Sequence, residues 1–98
     1  MSDWKDPIHP GEILLDEIQE IGLNAAELAR RIDVPENRVY QIVGKQRNLT
    51  ADTALRLGQF FNTGPEFWMN LQKSYELDVA RQKVGDKLER IAPYQPHT

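Results

Sequence analysis

The 98-residue chain contains no cysteine, and it lacks several other features that define classes of protein. Without cysteine it has neither disulfide bonds nor thiolate metal ligands, which fits a reducing compartment. No apolar run reaches the roughly 18 residues of a membrane-spanning helix, and the N-terminus lacks the charged-then-apolar pattern of a signal peptide. We therefore expect a cytoplasmic protein with no membrane association.

Motifs of common enzyme and metal sites are also missing from the sequence. It has two histidines, no glycine-rich phosphate loop, no cluster of metal ligands and no nucleophile with a partnered base. Acidic residues are plentiful, but no pattern places a pair of them in a dry cleft. We therefore expect no enzymatic activity, no metal and no cofactor.

Strand signals are nearly absent, because the chain has no long alternating run of β-branched residues. Apolar residues instead recur at helical spacing, and prolines and glycines divide the chain into five helical segments. We predict one all-α domain over residues 1–98, with five helices and a C-terminal helical extension over about 65–91. The tail after Val84 mixes charges and prolines, and we expect it to fray or to pack against the body.

Prolines and capping residues predict where helices begin. Pro10, Pro35 and Pro65 each suit the first turn of a helix, where a proline removes no hydrogen bond. Asn24, with Glu27 three residues later, resembles a capping box.

Residues 24–43 have the side-chain spacing of a helix-turn-helix. Two helices that cross steeply need a small residue at the crossing, and Ala29 supplies it. Val39 and Ile42 lie on the inner face of the second helix. Asp33 is a departure, because the turn usually has glycine at a position with a left-handed backbone, which aspartate adopts less freely. The joint spacing favours a DNA reader over an ordinary helical hairpin with a solvated polar face.

The outer face of this second helix is polar and suits contacts in a DNA major groove. Arg38 and Gln41 are the main candidates to read bases, with Asn37 next. Arginine suits guanine, whereas asparagine and glutamine suit adenine. Glu36 either accepts from cytosine or favours the helix N-terminus, and Tyr40 either bonds a phosphate or covers the edge of the core.

The charge distribution favours the same stretch as a DNA-binding surface. The chain has a net charge of -3, but residues 1–34 carry −5 whereas residues 35–58 carry +2. Lys45 and Arg47 follow the polar helix, and we expect them to contact backbone phosphates, with a merely solvated basic loop as the alternative. The acidic total keeps open a protein-interaction role without DNA binding.

Three blocks of sequence carry a family resemblance: HPGEIL at 9–14, TADTALRL at 50–57 and PEFWMNLQ at 65–72. In this order they resemble the HigA/VapI-type antitoxins, which are Xre-like helix-turn-helix proteins. The resemblance implies a five-helix, lambda-repressor-like fold and a homodimer that binds double-stranded operator DNA to repress its own operon. It also implies a HigB/RelE-like mRNA interferase as the toxin that is neutralised.

The loop after the polar helix departs from the family's pattern of Gly, basic, Arg, any residue, Ile or Val, Thr. Arg47 and Thr50 match the pattern, but Gly44 stands one place before the family's glycine. We therefore expect the loop backbone and its phosphate contacts to differ from those of the family.

A dimer needs a contact surface, and the C-terminal half of the chain has enough apolar residues to supply one. The candidate residues recur at helical spacing, with core packing as their alternative role: Phe67, Trp68, Leu71 and Tyr75.

The first helix has acidic residues at every fourth position, so like charges repel along one face. They are Glu12, Asp16 and Glu20. A cationic toxin docked on this face would relieve the repulsion, and an ordinary solvated face is the alternative.

The leading interpretation is an antitoxin that represses transcription and neutralises a toxin. The alternatives are a stand-alone Xre-type repressor and a toxin-neutralising module that does not bind DNA.

Overall fold

The computed structural model describes residues 6–96, which fold into five α-helices followed by a short 3-10 helix. The elements are α1 (Pro10–Glu20), α2 (Ala25–Arg31), α3 (Glu36–Val43), α4 (Ala51–Phe61), α5 (Pro65–Val84) and the 3-10 helix Gly85–Arg90. The predicted all-α, five-helix fold is confirmed, whereas the predicted domain limits at residues 1 and 98 lie outside the described residues. Across residues 6–96, no helix combines the length and apolar character needed to cross a membrane.

The helices begin close to the residues that the capping signals predict. His9 caps α1, and its Nδ1 accepts a hydrogen bond from the Gly11 N–H at 2.9 Å. Asn24 and Glu27 form the predicted capping box of α2, with reciprocal side-chain-to-backbone hydrogen bonds of 2.8 and 2.9 Å. Pro35 precedes α3 as its N-cap and does not occupy the first helical turn.

The hydrophobic core draws side chains from all five α-helices and from the loop before α4. Its buried members are Leu14, Ile18, Leu28, Ala29, Ile32, Val39, Ile42, Leu49, Ala54, Leu57 and Trp68. Burying a large aliphatic side chain contributes about 1.5–3 kcal/mol, so this shared cluster fixes the helices relative to one another. In particular, α3 packs against both α1 and α2, which leaves its opposite face for solvent.

Two glycines let helices approach one another backbone to backbone. A Cβ atom at Gly11 would collide with the carbonyl of Ile42, so α1 crosses directly over the C-terminal end of α3. A Cβ atom at Gly58 would lie 2.6 Å from the nitrogen of Pro65, where α5 begins. Neither contact leaves room for a side chain. The C-terminal end of α3 therefore lies close against α1, and the start of α5 lies close against α4.

The C-terminal half of α5 extends beyond the compact body. The radius of gyration is 17.1 Å, and the extents are 56 × 32 × 21 Å, whereas a compact domain of about 100 residues has a radius near 13 Å. Leu77 is 46% exposed, and residues 86–96 are all exposed. The tail after Val84 therefore continues as a 3-10 helix and then as chain without regular secondary structure, and residues 86–96 do not bury their side chains in the core.

Candidate nucleic-acid interface

The helix-turn-helix consists of α2, the turn at residues 32–35 and α3. Ala29, Val39 and Ile42 are buried where the two helices meet, as the spacing predicts. Asp33 has a φ of 61°, which is the left-handed backbone expected at this position. The turn therefore keeps its usual shape although aspartate replaces glycine.

Arg56 of α4 is hydrogen-bonded to the turn. Its Nη1 donates to the carbonyl oxygens of Ile32 and Asp33, at 2.9 and 3.0 Å. Its Nε donates to the Oδ2 atom of Asp52 at 3.1 Å. The last carbonyls of a helix have no donors within the helix, so a guanidinium group satisfies them and complements the negative end of α2. The Arg56–Asp52 pair has the four-residue spacing of an ion pair within one helix.

Asp52 also holds Arg38, the main candidate to read bases. The Nη1 atom of Arg38 donates to the same Oδ2 atom at 3.2 Å. The Arg38 side chain is only 28% exposed, so it lies along the N-terminal end of α4. One carboxylate thus receives two guanidinium groups, and the cluster keeps a net positive charge. No local pattern in the sequence signals this contact, because fourteen residues separate the partners.

The other main candidate, Gln41, is paired with a residue of the following loop. The Nε atom of Arg47 donates to the Oε1 atom of Gln41 at 2.8 Å. The structure therefore brings together a predicted base reader and a predicted phosphate contact, which the sequence treats as separate.

The remaining candidates of α3 are exposed on its outer face. Asn37 and Tyr40 both face solvent, and Tyr40 is 52% exposed. Glu36 accepts from the Nη1 atom of Arg30 at 3.4 Å. Both partners of this ion pair are exposed, and such pairs contribute at most about 1 kcal/mol to stability.

The loop after α3 contains a second left-handed residue. Gly44 has an ordinary φ of -82°, whereas Lys45 has a φ of 63°. The lysine thus adopts a left-handed conformation at the place where the family pattern has glycine. Its Nζ atom lies 3.3 Å from the Oε2 atom of Glu12, so the loop is tied to α1 by an ion pair.

This ion pair divides the acidic row of α1. Glu12 lies beside the loop after α3, because it pairs with Lys45. Asp16 and Glu20 lie further along α1 and are exposed, and within residues 6–96 neither has an ion-pair partner. The three predicted toxin-binding residues therefore do not form one equivalent surface.

The predicted dimer residues of α5 also differ in what they contact. Trp68 has no exposed surface, and its Nε1 donates to the Oγ1 atom of Thr63 at 3.1 Å. Trp68 therefore packs in the core of its own chain, which corrects the expectation that it contacts a partner. Leu71 is half-buried against the core, and Tyr75 packs edge-on against His9 at 4.8 Å. Phe67, which is 42% exposed, is the member of this set with the most open surface.

His9 connects α1 to the loop of the interface, although its sequence signal indicates only a helix start. Its side chain is buried, and burial lowers its pKa below the ordinary value of 6.5. A hydrogen bond to the backbone of Arg47 opposes this shift, and the charge of Lys45 reinforces it. The ring is therefore held in its neutral form, which leaves Nδ1 free to accept from Gly11.

Known proteins share this architecture over most of the chain, although no family model matches it. Virulence-associated protein I of Dichelobacter nodosus is 46% identical over 76 residues, which cover 76% of this chain and 70% of that relative. A HigA-family addiction module antidote protein from Coxiella burnetii has a TM-score of 0.89 and 48% identity, covering 92% and 100% of the two chains. The antitoxin HigA of Pseudomonas aeruginosa, solved with the higBA promoter, has a TM-score of 0.85 and 46% identity, covering 91% and 99%.

Proposed function

The chain belongs to the HigA/VapI-type family of helix-turn-helix antitoxins, and on this premise we propose that it represses its own operon and neutralises a HigB/RelE-like mRNA interferase. It binds double-stranded operator DNA in the cytoplasm as a homodimer. The observation that supports DNA binding most directly is the outer face of α3, where Arg38 and Gln41 are each restrained by a neighbouring side chain. Several of its relatives are named as antitoxins or transcriptional regulators, and we propose no catalytic role.

In this proposal α3 enters the major groove with its outer face toward the bases. Arg38, Gln41 and Asn37 contact base edges, and Tyr40 and Lys45 contact backbone phosphates. Side chains that are already ordered lose less conformational entropy on binding, so the Arg38 and Gln41 contacts contribute more of their interaction energy to affinity. Glu36 acts at the N-terminus of α3, where its charge is favourable.

Binding to the promoter fragment upstream of the gene tests the DNA-binding role. The double variant Arg38→Ala with Gln41→Ala is expected to lose about 1–3 kcal/mol of sequence-specific affinity for each lost base contact. Fluorescence anisotropy with labelled promoter and unlabelled nonspecific competitor measures this loss. Arg90→Ala is the matched control, because this arginine is exposed on the 3-10 helix, away from α3. Unchanged specific affinity in the double variant would show that α3 does not read the operator.

The homodimer contact is proposed to lie on the exposed part of α5. Met69, Leu77 and Ala80 line a surface groove of about 480 Å³ along this helix. Phe67 adds exposed aromatic surface near the start of the helix. A two-fold DNA reader needs its own surface for self-association, and these side chains leave α3 uncovered.

The toxin is proposed to dock on the exposed acidic face of α1, at Asp16 and Glu20. HigB/RelE-like toxins are expected to be basic, so the two proteins attract one another at long range. Glu12 is placed at the edge of this site because its carboxylate is already paired with Lys45.

A further inference from the structure

We infer that Gln41 and Arg47 act together as one unit that selects guanine in the operator. The selection of guanine depends on the operator binding that is proposed above. A free glutamine amide suits adenine, because it offers a donor to N7 and an acceptor to the N6 amino group. In this chain the amide is not free, since Arg47 is bonded to it at 2.8 Å.

The hydrogen bond from Arg47 fixes which way the Gln41 amide faces. A guanidinium group has five N–H donors and no acceptor. The Gln41 atom that faces the guanidinium group is therefore the carbonyl oxygen Oε1, and this is the atom that accepts from Arg47. The amide nitrogen, with two N–H donors, is left to meet the DNA.

Adenine is poorly matched to this unit. The Gln41 oxygen has a second lone pair, so an adenine amino group is not blocked sterically. However, that amino group would approach an oxygen that already accepts from a cation, and it would place a second donor beside the guanidinium group. Its electrostatic attraction to Gln41 is therefore weakened.

Guanine is well matched, because its major-groove edge offers two acceptors, N7 and O6. The Gln41 amide nitrogen supplies one donor, and the unused N–H groups of Arg47 supply others. Three acidic side chains near α3 do not neutralise this donor set, because they pair with other cations. These pairs are Glu12 with Lys45, Glu36 with Arg30, and Asp52 with Arg38 and Arg56.

Selection of binding sites from a randomised duplex pool tests this inference on the full chain. We compare the wild type with Gln41→Ala, Arg47→Met and Lys45→Met. Gln41→Ala is expected to flatten the preference at one base pair, where the wild type prefers guanine over adenine by about 5- to 150-fold. Arg47→Met frees the amide oxygen and is expected to shift that base pair toward adenine.

Lys45→Met is the matched control, because it removes one cation from the same loop without touching Gln41. It is expected to lower affinity without changing any base preference. As a second measurement, 7-deazaguanine at the Gln41-dependent position lacks the N7 acceptor and is expected to weaken binding. Inosine keeps N7 and O6, so it is expected to bind as guanine does.

Adenine at the Gln41-dependent position, or an unchanged guanine preference in Arg47→Met, would overturn the inference while operator binding still stands. A wild-type chain that selects no sequence at all would instead remove the proposed operator binding, and the inference with it.

Discussion

At the scale of single residues, α3 is flanked on both sides by a strained backbone. Asp33 before it and Lys45 after it adopt left-handed conformations, with φ of 61° and 63°. Such conformations are unfavourable for residues that have a Cβ atom. The bonds that hold these positions, from Arg56 to the Asp33 carbonyl and from Lys45 to Glu12, offset part of that cost.

Asp33→Gly is expected to stabilise the fold by up to about 1 kcal/mol, because glycine adopts the left-handed backbone without strain. The Arg56 contact survives, since it uses the main-chain carbonyl of residue 33. Urea unfolding measures the change. Asp33→Ala is the matched control and is expected to bring no such gain. Equal stability of the glycine and alanine variants would contradict the idea that strain resides here.

The neutral His9 ring makes stability depend on pH. Because its pKa is lowered in the fold, the unfolded chain binds a proton more readily below about pH 6.5, and protonation therefore favours unfolding. The free energy of unfolding is expected to be constant above this pH and to decrease as the pH falls toward the folded pKa. His9→Asn keeps a capping oxygen but does not titrate.

Urea denaturation at several pH values between 5 and 8 compares the wild type with His9→Asn. This range lies on both sides of the ordinary histidine pKa of about 6.5. The stability difference between wild type and His9→Asn is expected to change across this range. A difference that is independent of pH would show that His9 has the same pKa in the folded and unfolded chains.

At the scale of elements, α1 is expected to contact two partners with different parts of its length. Its N-terminal end packs on α3 and pairs with the loop through Glu12, whereas Asp16 and Glu20 face solvent further along. The double variant Asp16→Lys with Glu20→Lys is expected to lose toxin binding while it retains DNA binding, because the α3 face is unchanged.

Co-purification with the basic protein encoded by the adjacent gene measures toxin binding. The matched control is Glu66→Lys with Glu89→Lys, which makes the same change in net charge on exposed residues elsewhere. Retained toxin binding in the α1 double variant would place the toxin on another surface.

Most element boundaries can be predicted because their signals are local. The Asn24 capping box, the prolines at helix starts and the apolar spacing act within a few residues. The contacts that define the interface are different, because Asp52 reaches Arg38 only when the fold has brought the start of α4 close to α3. Phe67 and Trp68 of α5 show the same limit of prediction from sequence. The sequence pattern predicts the same role for both residues, whereas the packing of the fold buries Trp68 and leaves Phe67 exposed.

At the scale of the whole molecule, the proposed dimer contact lies on the protruding half of α5. Leu77→Glu is expected to convert the dimer to a monomer, because two buried leucines are lost per two-fold interface. At about 1.5–3 kcal/mol for each leucine, the dimer dissociation constant rises at least about 100-fold. Sedimentation equilibrium measures it.

Leu55→Glu is the matched control, since Leu55 is a leucine of α4 that is 59% exposed. It is expected to leave the dimer intact. If Leu55→Glu dissociates the dimer and Leu77→Glu does not, the contact lies on α4 instead.

The carboxylate of Asp52, shared by Arg38 and Arg56, has a consequence for protein engineering. A graft of α3 alone into another helix-turn-helix scaffold would transfer Arg38, the proposed base reader, but not the carboxylate that orients it. The transferable unit of specificity is therefore α3 with the loop after it and the first turn of α4. Reprogramming this protein for a new operator calls for paired substitutions across that unit.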